Sequence, residues 1–150
     1  MVIYIKEGDI FKVDGVTSYA HGCNCAGAMG KGIAVQFKTK YPEMYKTYQQ
    51  MCKIGTYQPG DVYDFDYGKG HVYNLGTQKN WRTKAEIEFI RMSLENMMLQ
   101  AENKKVKAIA LPAIGAGLGG LDWNDVKKEI EYISKKYPNI DLYVVESYKP

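Results

Sequence analysis

The chain has 150 residues, 45% of them hydrophobic and 25% charged, which is enough apolar material for one domain with a full core. Its 20 basic and 17 acidic residues leave a formal net charge of +3, too mild for charge-driven binding to duplex nucleic acid and compatible with a small anionic ligand. Three cysteines, an odd number, argue against a disulfide framework and for a reducing compartment. No apolar run reaches membrane-spanning length, and MVIYIKEGDI lacks the basic segment and long apolar run of a secretory signal, so the expected location is the cytoplasm, away from membranes.

In chain order, VIYIKEGDI begins as a strand and ends at a Gly8-Asp9 turn signal. VTSYAH, residues 16–21, is a second strand. KGIAVQFKTK sets Ile33, Ala34 and Phe37 on one helical face, and Pro42 opens another helix with Met44, Tyr45, Tyr48, Met51 and Cys52 on its apolar side. DVYDFDYGKGHVYNL reads as a hairpin turning at Gly68-Lys69-Gly70. A helix from about Lys84 to Asn103 carries Ile87, Ile90, Leu94, Met97, Met98 and Ala101 inward. VKAIALP is a buried strand, WNDVKKEIEYISKKY a helix with Val126, Ile130 and Ile133 inward, and IDLYVVE the last strand. Strands alternating with helices predict a layered α/β fold with a largely parallel central sheet. In such folds ligands bind in the loops at the carboxyl ends of the strands.

Two of those loops are rich in glycine. HGCNCAGAMGKGIA, residues 21–34, follows the second strand and leads into a helix at Lys31; AIGAGLGG, residues 113–120, follows VKAIALP and leads into the helix at Trp123. Strand, glycine loop and helix start together point backbone N–H groups at one place, which suits a phosphate. The alternative is a pair of tight structural corners. Gly115, Gly117 and Gly120 also match the G-x-G-x-x-G spacing of dinucleotide sites, with Glu146 ending the next strand. Only 30 residues follow Gly120, too few for the rest of a dinucleotide-binding half. Asp122, three residues before Asp125, is expected to cap a helix that starts beyond the third glycine.

Cys23 and Cys25 form a C-x-C pair with His21 just upstream. No second ligand pair exists for zinc, so small residues packed beneath the loop are expected, with a Cys–His nucleophile as the alternative. Asn24 both donates and accepts; it suits a sugar hydroxyl or a positioned water, and equally an Asx-type loop brace.

GDI after the first strand, NCAGAMGKGIA after the second and PAIGAGLGGLDW before the last helix, in this order and spacing, resemble the macrodomain family over nearly the whole chain. The resemblance implies a three-layer α/β/α macrodomain fold, its central mixed, mostly parallel sheet flanked by helices, with a cleft for ADP-ribose; no cofactor or metal is expected. It implies that Asp9, with the Ile10 amide, reads the adenine amino group. It implies that Ile114, Gly115, Ala116, Gly117, Leu118 and Gly119 surround the diphosphate, faced by Gly30, Lys31, Gly32 and Ile33, with Asn24 beside the distal ribose. GAMGKGIA, GTQKNW and GLGGLDW are similar to the branch that holds the terminal ADP-ribose protein glycohydrolase and the antitoxins that remove ADP-ribose from thymidine in DNA. There a lysine after the hairpin is catalytic, and the matching residue is Lys79; the protein glycohydrolase adds an aspartate where this chain has Gly119, as the DNA-acting antitoxins do. Near phosphates an ammonium is favoured, so Lys79 would stabilise charge more readily than attack. Trp81 and Arg82 beside it offer a surface for a base or a substrate side chain.

The implied activity is hydrolysis of an ADP-ribosyl link to a nucleobase or protein, by a monomer whose partner is ADP-ribose or an ADP-ribosylated DNA or protein. The competing readings are a non-catalytic ADP-ribose module, and an ADP-ribose-1″-phosphate phosphatase or O-acyl-ADP-ribose deacylase.

Overall fold

The computed structural model describes all residues from 1 to 150. In chain order it contains β1 (Val2–Ile5), a 3-10 turn (Ile10–Lys12), β2 (Tyr19–Asn24), α1 (Ala34–Lys40), α2 (Pro42–Ile54), β3 (Val62–Asp66), β4 (His71–Gln78), α3 (Ile87–Asn103), β5 (Ala108–Pro112), α4 (Trp123–Lys136) and β6 (Asp141–Val145). The strands form one sheet in the order β1-β6-β5-β2-β4-β3. Only the β3–β4 hairpin is antiparallel, so five strands end at the same edge.

Alternation along the strands supplies two cores, one for each face of the sheet. Tyr73 and Leu75 of β4, Ile109 and Leu111 of β5, and Leu142 and Val144 of β6 face α3 and α4. Val72, Ala110 and Val145, at the intervening positions, join Phe37 of α1 and Met44 and Tyr48 of α2 on the opposite face. Helix α3 buries Ile90, Leu94, Met97, Met98 and Ala101, the spacing of a single helical stripe. Each such side chain taken fully from water contributes about 1.5–3 kcal/mol.

Three boundaries differ from the sequence expectation. Strand β2 begins at Tyr19 rather than Val16 and runs past His21 through Asn24, so Gly22, Cys23 and Asn24 are strand residues rather than loop. β4 offers them a continuous parallel ladder, Gly22 opposite Leu75 and Cys23 opposite Gly76, with an irregularity before Asn24. Helix α1 starts at Ala34, which leaves residues 25–33 as an open loop. Helix α3 starts at Ile87 rather than Lys84, because the Ala85 amide donates to Gly119 O (2.9 Å) and the Glu86 amide to Thr77 O (3.2 Å) instead of entering a helical ladder.

Beneath the site lies a buried polar group. His21 Nε2 lies 2.7 Å from Asn74 Oδ1, and Asn74 Nδ2 donates to Tyr63 O, an arrangement that makes Nε2 the donor. The imidazole stacks on Phe37 at a centroid distance of 3.9 Å. Full burial pushes its pKa down to about 4, against a weaker opposing effect of Asn74, so His21 is neutral in the fold. The unfolded chain therefore binds a proton, between the ordinary histidine value and about 4, that the folded chain refuses. Stability falls as pH drops through that window, by up to about 1.4 kcal/mol per pH unit. Thermal melts from pH 7 to 4 should show the natural protein losing stability relative to His21→Gln, which keeps a donor for Asn74 without titrating. Parallel curves would remove His21 from the acid response.

Candidate functional site

The loops following β1, β2, β4 and β5 share the carboxyl edge of the sheet. β2 and β5 pair at only one position, Tyr19 with Ala110. Beyond it their outgoing loops separate, one to α1 on one face of the sheet and the other to α4 on the opposite face. The crevice between them is the switch point at which open α/β sheets bind ligands.

The loop after β5 is a compact turn with some of its donors left over. Ile114 donates to Pro112 O (2.8 Å), Ala116 to Ala113 O (3.3 Å), Gly120 to Ala116 O (3.0 Å) and Leu121 to Gly115 O (2.9 Å). The amides of Gly115, Gly117, Leu118 and Gly119 have no acceptor in the protein. The expected ligand set therefore contracts: the amides of Ile114 and Ala116 are spent, and the Ile114 side chain is in the core. Across the crevice, the amides of Gly30, Lys31, Gly32 and Ile33 are also without acceptors. Gly32 has φ +64°, and a Cβ there would sit 3.4 Å from Leu118 Cδ1, so the two loops face each other closely. Unpaired N–H groups on two loops this close offer donors to an anion, each charge-assisted bond contributing about 1.5–3 kcal/mol.

Asn24 is the brace of the first loop. Its Oδ1 accepts from the Ala26 and Ala28 amides (3.0 and 3.2 Å) and from the Tyr48 hydroxyl (3.0 Å), while Nδ2 donates to Ala28 O (2.8 Å). Tyr48 also donates to Asn24 O at 2.7 Å. The amide expected beside a ribose is thus mostly committed to the loop, with one Nδ2 hydrogen left over. Tyr48 was legible only as an apolar helix position; nothing in its sequence neighbourhood marks the bond it makes.

The two ends of the crevice differ. Asp9 follows β1, and its Oδ1 accepts from the Phe11 amide at 2.9 Å. Oδ2 has only Lys12 Nζ at 4.0 Å, and the side chain is 12% exposed, which leaves one carboxylate oxygen without a hydrogen bond. Ile10 is fully buried, and its side chain belongs to the core. At the other end, Lys79 follows β4. Its carbonyl accepts from the Cys25 amide (3.2 Å), which fixes it beside the Asn24 loop, and its exposed amine has no carboxylate within ion-pair distance. Across the intervening strands the distance between these ends is roughly 15–20 Å.

Gly119 admits no side chain. A Cβ there would lie 2.6 Å from Gly115 O and 3.0 Å from Ala85 Cβ, so this loop has no room for an aspartate. Asp122 caps α4, accepting from the Asn124 amide at 2.8 Å. Glu146, the acid that a dinucleotide site would need for its ribose, instead accepts from Trp123 Nε1 (2.8 Å) and lies 3.7 Å from Lys127 Nζ. The cysteines are packing residues. Burial raises the Cys23 thiol well above its ordinary range and the Cys25 thiol to about 12, and the neutral His21 beside Cys23 (3.5 Å) does not reverse this. No three His, Cys, Asp or Glu side chains converge on one point.

A parallel-sheet edge with acceptor-free amides on two adjacent loops defines an α/β protein with donors for an anion at its switch point. The chain belongs to the macrodomain family: the Macro domain model matches residues 20–130. It is 33% identical over 148 residues to a DNA ADP-ribosyl glycohydrolase of Mycobacterium tuberculosis, covering 96% of this chain and 42% of that protein. It therefore spans about two fifths of that curated relative. It is 32% identical over 132 residues to the human ADP-ribose glycohydrolase OARD1, covering 88% and 83% of the two chains. The solved macrodomain of Mycobacterium tuberculosis DarG superposes with a TM-score of 0.90 at 33% identity, covering 100% of this chain and 98% of that one.

Two glycine variants separate the turn from the nest. Gly117 has open space around a Cβ, whereas Gly119 does not. Gly117→Glu should abolish binding of ADP-ribose while the melting temperature stays within a degree or two. Gly119→Asp should lower the melting temperature by several degrees, because the turn must open to admit it. Calorimetric titration and thermal denaturation of both variants check this; equal effects would mean that the turn geometry is not selective. Asp122→Ala should cost ~1 kcal/mol of stability and leave binding intact.

Proposed function

We propose that this chain binds ADP-ribose along the crevice and hydrolyses the glycosidic link between its distal ribose and a nucleobase in DNA. The observation that carries this reading is the linear order of the site: a carboxylate oxygen without a hydrogen bond at Asp9, two facing rows of free amides, then an unpaired amine at Lys79. That order matches adenine, diphosphate and distal ribose. Asp9 accepts from the adenine amino group. Gly115, Gly117, Leu118 and Gly119 meet one side of the diphosphate and Gly30 to Ile33 the other. The names of the mycobacterial and human relatives support the same chemistry.

In the reaction a water oxygen bonds to the anomeric carbon as the bond from that carbon to the base nitrogen breaks. The water loses one proton, and the departing base nitrogen gains one. Lys79 faces this bond as a cation. It lowers the barrier by stabilising the electron pair that moves onto the leaving base, an interaction that grows only as the bond breaks. Gly119, where an aspartate would have to stand, excludes a carboxylate partner for the lysine, and this favours the charge-stabilising role over attack by a deprotonated amine. Asn24 works through the loop that it braces. The free thiols fit a reducing cytoplasm. No helix is long and apolar enough to cross a membrane.

Micromolar affinity for ADP-ribose is expected, about 8 kcal/mol at 1 μM. Asp9→Ala should weaken it by on the order of 1–3 kcal/mol. Lys79→Ala should reduce turnover of ADP-ribosylated thymidine DNA at least a hundredfold while ADP-ribose affinity changes less than threefold. Asn24→Ala should depress affinity and turnover together, because both depend on the loop. The deciding assay offers ADP-ribosylated thymidine DNA, ADP-ribosylated glutamyl protein, the 1″-phosphate and an acetyl ester, and detects released ADP-ribose by mass. Turnover of the phosphate or ester alone would replace the glycohydrolase reading, and binding with no turnover would make the chain a reader.

A further inference from the structure

Beyond Lys79 the rim of the crevice carries side chains that bond cleavage does not use. Trp81 is 61% exposed, yet the backbone beneath it is tightly held. Asn80 Oδ1 accepts from the Arg82 and Thr83 amides (2.8 and 3.2 Å), and Gln78 Nε2 donates to Asn80 O (2.9 Å) and Thr83 O (3.0 Å). The Ala85 amide then fastens the end of this turn to Gly119 O at 2.9 Å. An indole is therefore mounted on a fixed turn, two residues from the amine proposed to act on the distal ribose.

Its surroundings select a ligand class. The Arg82 guanidinium lies over the indole, 4.6 Å from the ring centroid, and so occupies one ring face. Between Gln78 and Ala85 the charged residues are Lys79, Arg82 and Lys84, three cations with no acid among them. None of the three has a carboxylate within 4.0 Å. An acidic peptide would need only the cations. A flat aromatic face interleaved with unpaired cations matches single-stranded nucleic acid, in which unpaired bases stack and phosphates follow the charge. In a duplex the base faces are already stacked and closed to the indole.

We infer that Trp81 and Arg82 form a stacking clamp for the nucleotide adjoining the modified one, so that the substrate is recognised as a strand and not only through its ADP-ribose. This rests on the proposed action at a nucleobase in DNA, and it identifies residues that set specificity rather than catalysis.

The test compares two substrates: ADP-ribosylated thymidine within a single-stranded octanucleotide, and the same ADP-ribosylated base as a free mononucleoside. With Trp81→Ala, kcat/KM on the octanucleotide should fall about tenfold, through KM, with kcat within twofold. On the mononucleoside both constants should stay at the natural protein's values. Trp81→Phe should recover most of the loss, and Arg82→Ala should weaken binding and flatten its salt dependence. Equal loss on both substrates, or no loss on either, would overturn the clamp. A second readout needs no turnover. Titration with an unmodified oligothymidylate should quench tryptophan fluorescence in the natural protein and not in Trp81→Ala, since Trp123 is tied to Glu146. Quenching that survives Trp81→Ala, or that never occurs, also overturns the clamp. If the natural protein turns over neither substrate, the glycohydrolase reading fails and the quenching alone decides the clamp.

Discussion

The single pairing of Tyr19 with Ala110 is the constraint on which the site depends. A longer β2–β5 ladder would zip the centre of the sheet to its carboxyl edge and bring the two glycine loops together. Because the ladder stops, β2 runs on along β4 alone, β5 runs on along β6, and the edge opens between them. The same event sends one loop to each face of the sheet, so each loop is anchored in its own core. Phe37 and Met44 hold down one side, Ile90 and Ile114 the other. Each wall of the crevice is thus held by a separately packed layer.

Recognition by backbone rather than by side chains follows from this geometry. The amides of Gly115, Gly117, Leu118 and Gly119 are fixed by a turn that spends its other donors internally. They need no rotamer to be frozen when an anion arrives, which keeps the ordering cost low. A formal net charge of only +3 is no obstacle to the proposed diphosphate ligand, because the positive potential of oriented peptide dipoles is one that a count of lysines does not register.

Much of this was legible in the sequence. The alternation of strands and helices, the hairpin, the inward residues of α3 and α4, and the cap at Asp122 all rest on local chemistry with strong periodicity or strong turn signals. Three features were not legible, and each depends on a partner distant in the chain. Gly22 and Cys23 look like loop residues until β4 pairs with them. Residues 84–86 look helical until Gly119 and Thr77 take their amides. Asn24 could have faced a ligand or its own loop, and the choice was made by Tyr48, twenty-four residues on and on another element. Resemblance proposed which loops form the site; it could not say which amides would be spent inside the turn.

The crowding at residue 119 also bears on how such proteins can diverge. A change from glycine to aspartate is one nucleotide away in the genetic code, yet here the Gly115 carbonyl and the Ala85 methyl fill the space a Cβ would take. A lineage starting from this loop cannot try out a carboxylate beside its lysine while keeping the loop intact. It must first move the turn, and moving the turn disturbs the amides proposed to meet the diphosphate. Intermediates on that route would bind poorly before they reacted differently. The steric closure of one backbone position thus acts as a historical barrier, tying any carboxylate at residue 119 to a rearranged turn.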